Sequence, residues 1–131
     1  MKCLLLVLLL MIPGAIAEVY ITEVMYNPPG DDNNKEYVEI FSEEPVNLAE
    51  YIIEDFNGRD NLTLMQLANT SFYLIVEEGF NSTNINATIY TAGATIGNNL
   101  NNDGDLVVLR RSNSIADAVI YANELGANND G

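Results

Sequence analysis

Asn99-Leu100-Asn101-Asn102-Asp103-Gly104 sets oxygen-bearing side chains at alternate positions ahead of a glycine. A calcium loop of the helix-loop-helix type begins this way. Its twelfth position needs a bidentate glutamate, and here that position is Arg110. The spacing therefore reads as a turn, with Asp103 and Asp105 free to serve a cation site of another kind. A second oxygen-rich stretch, Asp31-Asp32-Asn33-Asn34, leads into Glu36. Such a run holds a hard cation weakly, and it is equally the composition of a solvated loop. Asp31, Asp32, Asp103 and Asp105 are thus the metal candidates, calcium is the only ion implied, and no other cofactor is.

Catalytic chemistry has little to work with. The chain has no histidine, which removes histidine-based triads and His-ligated zinc. A glycosidase pair needs two carboxylates about 5–9.5 Å apart across a cleft. Glu36 and Glu39 lie on opposite faces of any strand that carries both. The reading is a non-enzyme. Glu23 and Glu36 share parity with apolar neighbours and would be drawn into the core, where a carboxylate must be paired or hydrogen-bonded. Three arrangements satisfy them: backbone N–H groups of the Asn27–Gly30 turn, an arginine (Arg59, Arg110 or Arg111), or a shared cation. Four N-x-(S/T) sequons, at Asn61, Asn69, Asn81 and Asn86, are glycosylation candidates if the host modifies exported chains.

The elements that must position these groups are strands. Short apolar runs alternate with Asn, Gly and Asp clusters, and helical periodicity is absent beyond the N-terminus. Strands are expected near Val19–Met25, Glu36–Phe41, Tyr51–Asp55, Leu62–Leu64, Phe72–Glu77, Ala87–Thr91, Leu106–Arg110 and Ala116–Tyr121. Asn57-Gly58 reads as a hairpin turn in which both residues tolerate positive φ. Asp103-Gly104 and Ser112-Asn113-Ser114 mark later turns. Period-two phasing nominates a core of Val19, Ile21, Val38, Ile40, Ile53, Leu64, Phe72, Leu74, Val76, Leu106, Val108 and Val119.

The ends and the charge limit partners and location. Lys2, the apolar run Leu4–Ile12 and Ala15-Ile16-Ala17 form a signal peptide over residues 1–17. The apolar run spans about 14 Å as a helix, short of a bilayer core of about 30 Å. Cleavage leaves residues 18–131 as one domain; retention as an N-terminal anchor is the alternative. Cys3, the only cysteine, leaves with the signal, so the domain has no disulfide. An exported domain without one fits a prokaryotic envelope. After cleavage nothing inserts into a membrane. Nineteen acids face four bases in the domain (Lys35, Arg59, Arg110 and Arg111), a balance that repels nucleic acid and anionic lipid.

Several segments carry a family resemblance. Ile21-Thr22-Glu23-Val24-Met25-Tyr26-Asn27-Pro28 and Glu36-Tyr37-Val38-Glu39-Ile40 resemble the opening of the lamin tail domain family, I-x-E-(I/V)-x-(Y/P)-N-P, a gap, then E-(W/Y)-(I/V)-E-L. Asn47–Asp55 is similar to the family's L-x-G-W-x-L-x-D strand, with Glu50 for the glycine and Tyr51 for the tryptophan. Leu100–Leu109 resembles L-x-N-x-G-D-x-V-x-L, and Ile115–Tyr121 resembles V-V-D-x-V-x-Y. The likeness covers nearly all of the domain. It implies an all-β fold, an immunoglobulin-like antiparallel β-sandwich of about seven to eight strands. The motif residues are Glu23, Asn27, Glu36, Glu39, Asp55, Asn101, Gly104, Asp105, Asp117 and Tyr121. Gly131 stands about where the family continues toward G-x-S-x-E-R, so a truncated last element is expected.

The resemblance also implies an accessory role, since such domains accompany secreted or membrane-associated hydrolases and nucleases, or sit on surface proteins. The expectation is an exported binding module that meets an extracellular protein or glycan at loop tips or sheet edges. Tyr20, Tyr26, Tyr51, Tyr73 and Tyr90 are the candidate contact aromatics. The alternatives are a calcium-dependent carbohydrate-binding module and a structural or adhesion fragment of a larger surface protein.

Overall fold

A computed structural model describes residues 17–31 and 33–122. Residues 1–16, which hold most of the expected signal peptide, Asp32 and residues 123–131 lie outside the described residues. Among the described residues nine strands form two sheets packed face to face, the immunoglobulin-like sandwich expected. They are β1 (Tyr20–Met25), β2 (Tyr37–Phe41), β3 (Tyr51–Glu54), β4 (Arg59–Asn61), β5 (Thr63–Gln66), β6 (Phe72–Glu77), β7 (Thr88–Gly93), β8 (Gly104–Arg111) and β9 (Ser114–Ala122). One sheet runs β1-β2-β6-β7-β5 and the other β4-β3-β8-β9. Among the described residues no helix is long and apolar enough to cross a membrane.

The single strand expected at Leu62–Leu64 is two strands in different sheets. The chain leaves β4 and enters β5 through Leu62, whose side chain is buried in the core as it crosses. Pairing is antiparallel except between β6 and β7, which run parallel. A parallel pair needs a crossover, and residues 78–87 supply it. Phe80 and Ile85 of that crossover pack on Leu74, Val76, Ala87 and Ile89, making a second, smaller core outside the first sheet.

That outer cluster reverses part of the expected core. Tyr73 and Ile75, not Phe72, Leu74 and Val76, point between the sheets. In β8 the inward residues are Val107 and Leu109, not Leu106 and Val108. Leu64 and Phe72 are exposed. In both strands the apolar run is unbroken, so period two carries no phase information. Val19, Val38, Ile40 and Ile53 do lie in the main core, with Ile21 and Val119 packed against it.

Two local features differ from expectation for steric reasons. Thr22 is a bulge between Ile21 and Glu23. It re-phases β1, so Ile21, Val24 and Tyr26 face the core and Glu23 turns to solvent. The turn at Asn57-Gly58 does close the β3–β4 hairpin, but neither residue has positive φ. Gly58 is required by proximity: a Cβ there would stand 2.6 Å from the backbone N of Asn98. The positive φ falls instead on Ser112 (53°) in the β8–β9 hairpin.

Candidate functional site

Carboxylates tie the loops together at the end of the sandwich where β3 stops and β8 starts. Asp55 follows β3, and one of its oxygens accepts the N–H groups of Asn57 (2.7 Å) and Gly58. Its other oxygen accepts the N–H of Asn98 from the β7–β8 connection. Asp60 in β4 accepts the Gly97 N–H at 2.6 Å. Gly97 has φ of 62°, and a side chain there would run into the Asp55 carboxyl group. Asp105, buried at the start of β8, takes Leu106 N–H (2.8 Å) and Phe56 N–H (3.4 Å) on one oxygen and Asn101 N–H (3.2 Å) on the other. Burial raises the Asp60 carboxyl above its ordinary 3.8, partly opposed by the Gly97 N–H bond.

These latches shape a cleft of about 400 Å³ walled by Phe56, Asn57, Asn98, Asn99, Asn101 and Asn102. Phe56 is 67% exposed at its rim. Two asparagines have local duties. Asn101 accepts the Asp103 N–H at 3.0 Å, and Asn99 occupies φ of 82°. Asn57 and Asn98 have neither duty: they sit at negative φ, and their side-chain amides make no hydrogen bond within the described residues. The amides are therefore in excess of what the turns need.

A larger cleft, about 690 Å³, lies at the opposite end of the second sheet. It is bounded by Ala17–Tyr20, Tyr51, Arg111 and the β8–β9 hairpin. Its charged and phenolic groups are engaged with one another or with neighbours. Arg111 pairs with Glu50 and lies 5.6 Å from the Tyr51 ring centre, and the Tyr20 hydroxyl donates to Glu18. The Asn-walled cleft presents the side-chain amides of Asn57 and Asn98 uncommitted beside the exposed Phe56, and for that reason it is the better candidate.

The remaining motif residues are scattered. Glu23 is not buried and takes no N–H from the Asn27–Gly30 turn; it accepts the Tyr37 hydroxyl at 2.8 Å. Burial and that bond push the Tyr37 hydroxyl up to about 12. Glu36 is only 2% exposed, on the core side of the strand entry into β2. The arginines offered to Glu23 and Glu36 are engaged elsewhere: Glu54 takes Arg59 and Arg110, each at 2.7 Å. Glu39 faces outward and accepts the Thr22 hydroxyl at 2.7 Å. Asn27 is exposed. Gly104 precedes Asp105 at φ of 140°. Asp117 on β9 accepts the Ile21 N–H of β1 at 2.7 Å, joining the edges of the two sheets. Tyr121 stacks on Tyr26 with centroids 4.1 Å apart. Burial, then the charges of Asp105 and Glu36, raise its hydroxyl.

Of the metal candidates, Asp31 bonds to Asn33 within its own turn, Asp32 lies outside the described residues, Asp103 is exposed and Asp105 spends both oxygens on backbone N–H groups. Among the described residues, no three His, Cys, Asp or Glu side chains gather as a metal would need. Asn61, Asn69, Asn81 and Asn86 are all exposed, as an acceptor must be. Tyr51, Tyr73 and Tyr90, expected as contact aromatics, are core residues. The Tyr73 hydroxyl accepts the Val46 N–H and the Tyr90 hydroxyl donates to Asn47, so each buried ring reaches a polar partner in one loop. Sequence reasoning did not nominate Phe56, Asn98 or Asp60. An aromatic isolated between Asp55 and Asn57 in a turn was the signal available.

No curated protein and no solved structure gives a significant match to this chain. A family profile described as Lamin Tail Domain matches residues 13–123, more than half of the sequence. With its two-layered immunoglobulin-like fold, the chain belongs to the lamin tail domain family, a family of non-enzymatic interaction domains.

Proposed function

We propose that this chain is an exported module that performs no chemistry and holds an extracellular protein or glycan at the cell surface. The observation that carries the reading is the use made of the acids. Asp55, Asp60, Asp105 and Asp117 serve as acceptors for backbone N–H groups and fix loops and sheet edges. A rigid scaffold with uncommitted side chains on its loop tips suits recognition, because little ordering remains to be done on binding. The signal-like N-terminus and the acidic surface are consistent with work outside the cell.

Cell fractionation followed by a glycan array and a pull-down from envelope extract tests the reading. The expected result is the chain outside the cytoplasm, retained on a defined surface protein or glycan. Cytoplasmic retention of the intact chain, or turnover of glycosides, phosphodiesters or peptides by purified protein, would overturn it.

A further inference from the structure

We infer that the cleft between Phe56 and the Asn98–Asn102 loop is a binding site for a neutral saccharide, a deepening that rests on the module reading above. Phe56 is the stacking platform, and Asn57 and Asn98 are the polar contacts.

Three properties of the cleft select this ligand class. First, a carboxamide offers a donor and an acceptor side by side, and adjacent sugar hydroxyls present the same alternation in reverse. Asn57, Asn98, Asn99, Asn101 and Asn102 bring several such groups to one small space. Asn57 and Asn98 are required neither by backbone conformation nor by internal hydrogen bonding. Second, Phe56 is held by its own N–H to Asp105 at 3.4 Å, yet the residue is 67% exposed at the cleft rim. A pyranose carries a face of C–H groups that packs on such a ring while its equatorial hydroxyls reach sideways to amides. Third, charge removes the competitors. No lysine or arginine lines the cleft, and Asp103 and Asp105 stand beside it on a strongly acidic chain. An anionic ligand would meet repulsion with no partner. A cationic one would find the Asp105 oxygens already occupied by backbone N–H groups. The volume of about 400 Å³ lies within the range of small-ligand sites, about 300–1,000 Å³.

The latches explain how loops can present such a site. Asp55 and Asp105 join the Phe56–Gly58 turn to the Asn98–Asn101 segment, so the platform and the amides keep their separation. The recognition needs no bridging metal.

The test is an NMR titration of the full isotope-labelled chain with neutral gluco-, manno-, xylo- and N-acetylglucosamine oligosaccharides. Side-chain amide signals of Asn57, Asn98 and Asn99 and the Phe56 ring should shift and saturate with at least one of them. Phe56→Ala should weaken that binding about tenfold or more, about 1.4 kcal/mol. Its melting temperature should stay unchanged, since the ring is exposed. Phe72→Ala, at an exposed site away from the cleft, should bind as the parent does. Chelator should leave the affinity unchanged. The inference is overturned if no member of the series shifts these signals, if Phe56→Ala binds as the parent does, if chelator abolishes binding, or if only peptides compete for the cleft. Should the saccharides fail while the chain still captures a defined surface protein, the saccharide site falls and the module reading stands. If nothing is retained in either assay, both fall.

Discussion

Replacing Asp105 with alanine strands the N–H groups of Phe56, Asn101 and Leu106 at a buried position. Leaving buried donors without an acceptor costs about 1–3 kcal/mol. Urea denaturation of Asp105→Ala should show a loss in that range, and Asp105→Asn, which keeps one acceptor oxygen, a smaller one. Asp60 behaves differently because its charge is a liability. Burial raises its folded-state pKa above 3.8. Between 3.8 and the raised value the folded chain binds the proton more readily than the unfolded chain, so this residue's contribution to stability grows as pH falls through that window. Asp60→Asn keeps an acceptor for Gly97 and carries no charge. It should be at least as stable as the parent at neutral pH, and any advantage should shrink as pH approaches 4. Paired melting curves across that range check the sign. Only one of the two residues was legible in the sequence. Asp105 stands in a motif the resemblance flagged, whereas Asp60 follows Arg59 in a strand of three residues that no periodicity reveals.

At the scale of strands, the sequence was readable wherever one face was polar. In β2, Val38 and Ile40 alternate with Tyr37, Glu39 and Phe41, and the inward pair was legible. In β6, Phe72-Tyr73-Leu74-Ile75-Val76 offers no polar residue to mark the outside. The reason both faces are apolar became visible only in three dimensions: the crossover of residues 78–87 covers the outer one. Likewise the bulge at Thr22, invisible to a two-residue period, moved Glu23 out of the core. The corrected phase of β6 has a direct consequence. Ile75 lies fully buried between the sheets, while Phe72 is exposed. Ile75→Ala should cost about 2–5 kcal/mol, and Phe72→Ala less, about 0.5–1.5 kcal/mol for its ring contact with Phe41. Chemical denaturation of the two variants distinguishes this phase from its reverse. The site was less legible than the fold. A cleft assembled from the β3–β4 turn and the β7–β8 connection requires knowing that β3 and β8 are neighbours, and no local spacing states that.

The whole molecule is governed by its charge and by tyrosines held in their neutral form. With nineteen acidic residues against few bases, the compact state brings like charges closer than the unfolded chain does. Salt screens them over a Debye length of about 10 Å at 0.1 M and about 3 Å at 1 M. Alkali acts on the same field from the other side. Tyr37 is raised from 10.0 to about 12 by burial and by its bond to Glu23. Burial raises Tyr90 and Tyr121 as well, with carboxylates adding to the effect at Tyr121. Between pH 10 and about 12 the unfolded chain has released the Tyr37 proton and the folded chain has kept it. The folded state then binds more protons, so stability falls as pH rises through this window. The protein should therefore lose stability progressively as pH rises above 10. Tyr37→Phe should flatten part of that decline without removing it, because Tyr90 and Tyr121 still contribute. Added salt should raise Tm at neutral pH by relieving the general repulsion. It should do less for the alkaline decline, whose leading cause at these tyrosines is burial, which salt does not screen. Melting temperature measured over both pH and salt separates the two effects. An equal gain from salt at pH 7 and at pH 11 would show that repulsion alone, rather than buried hydroxyls, sets the alkaline limit.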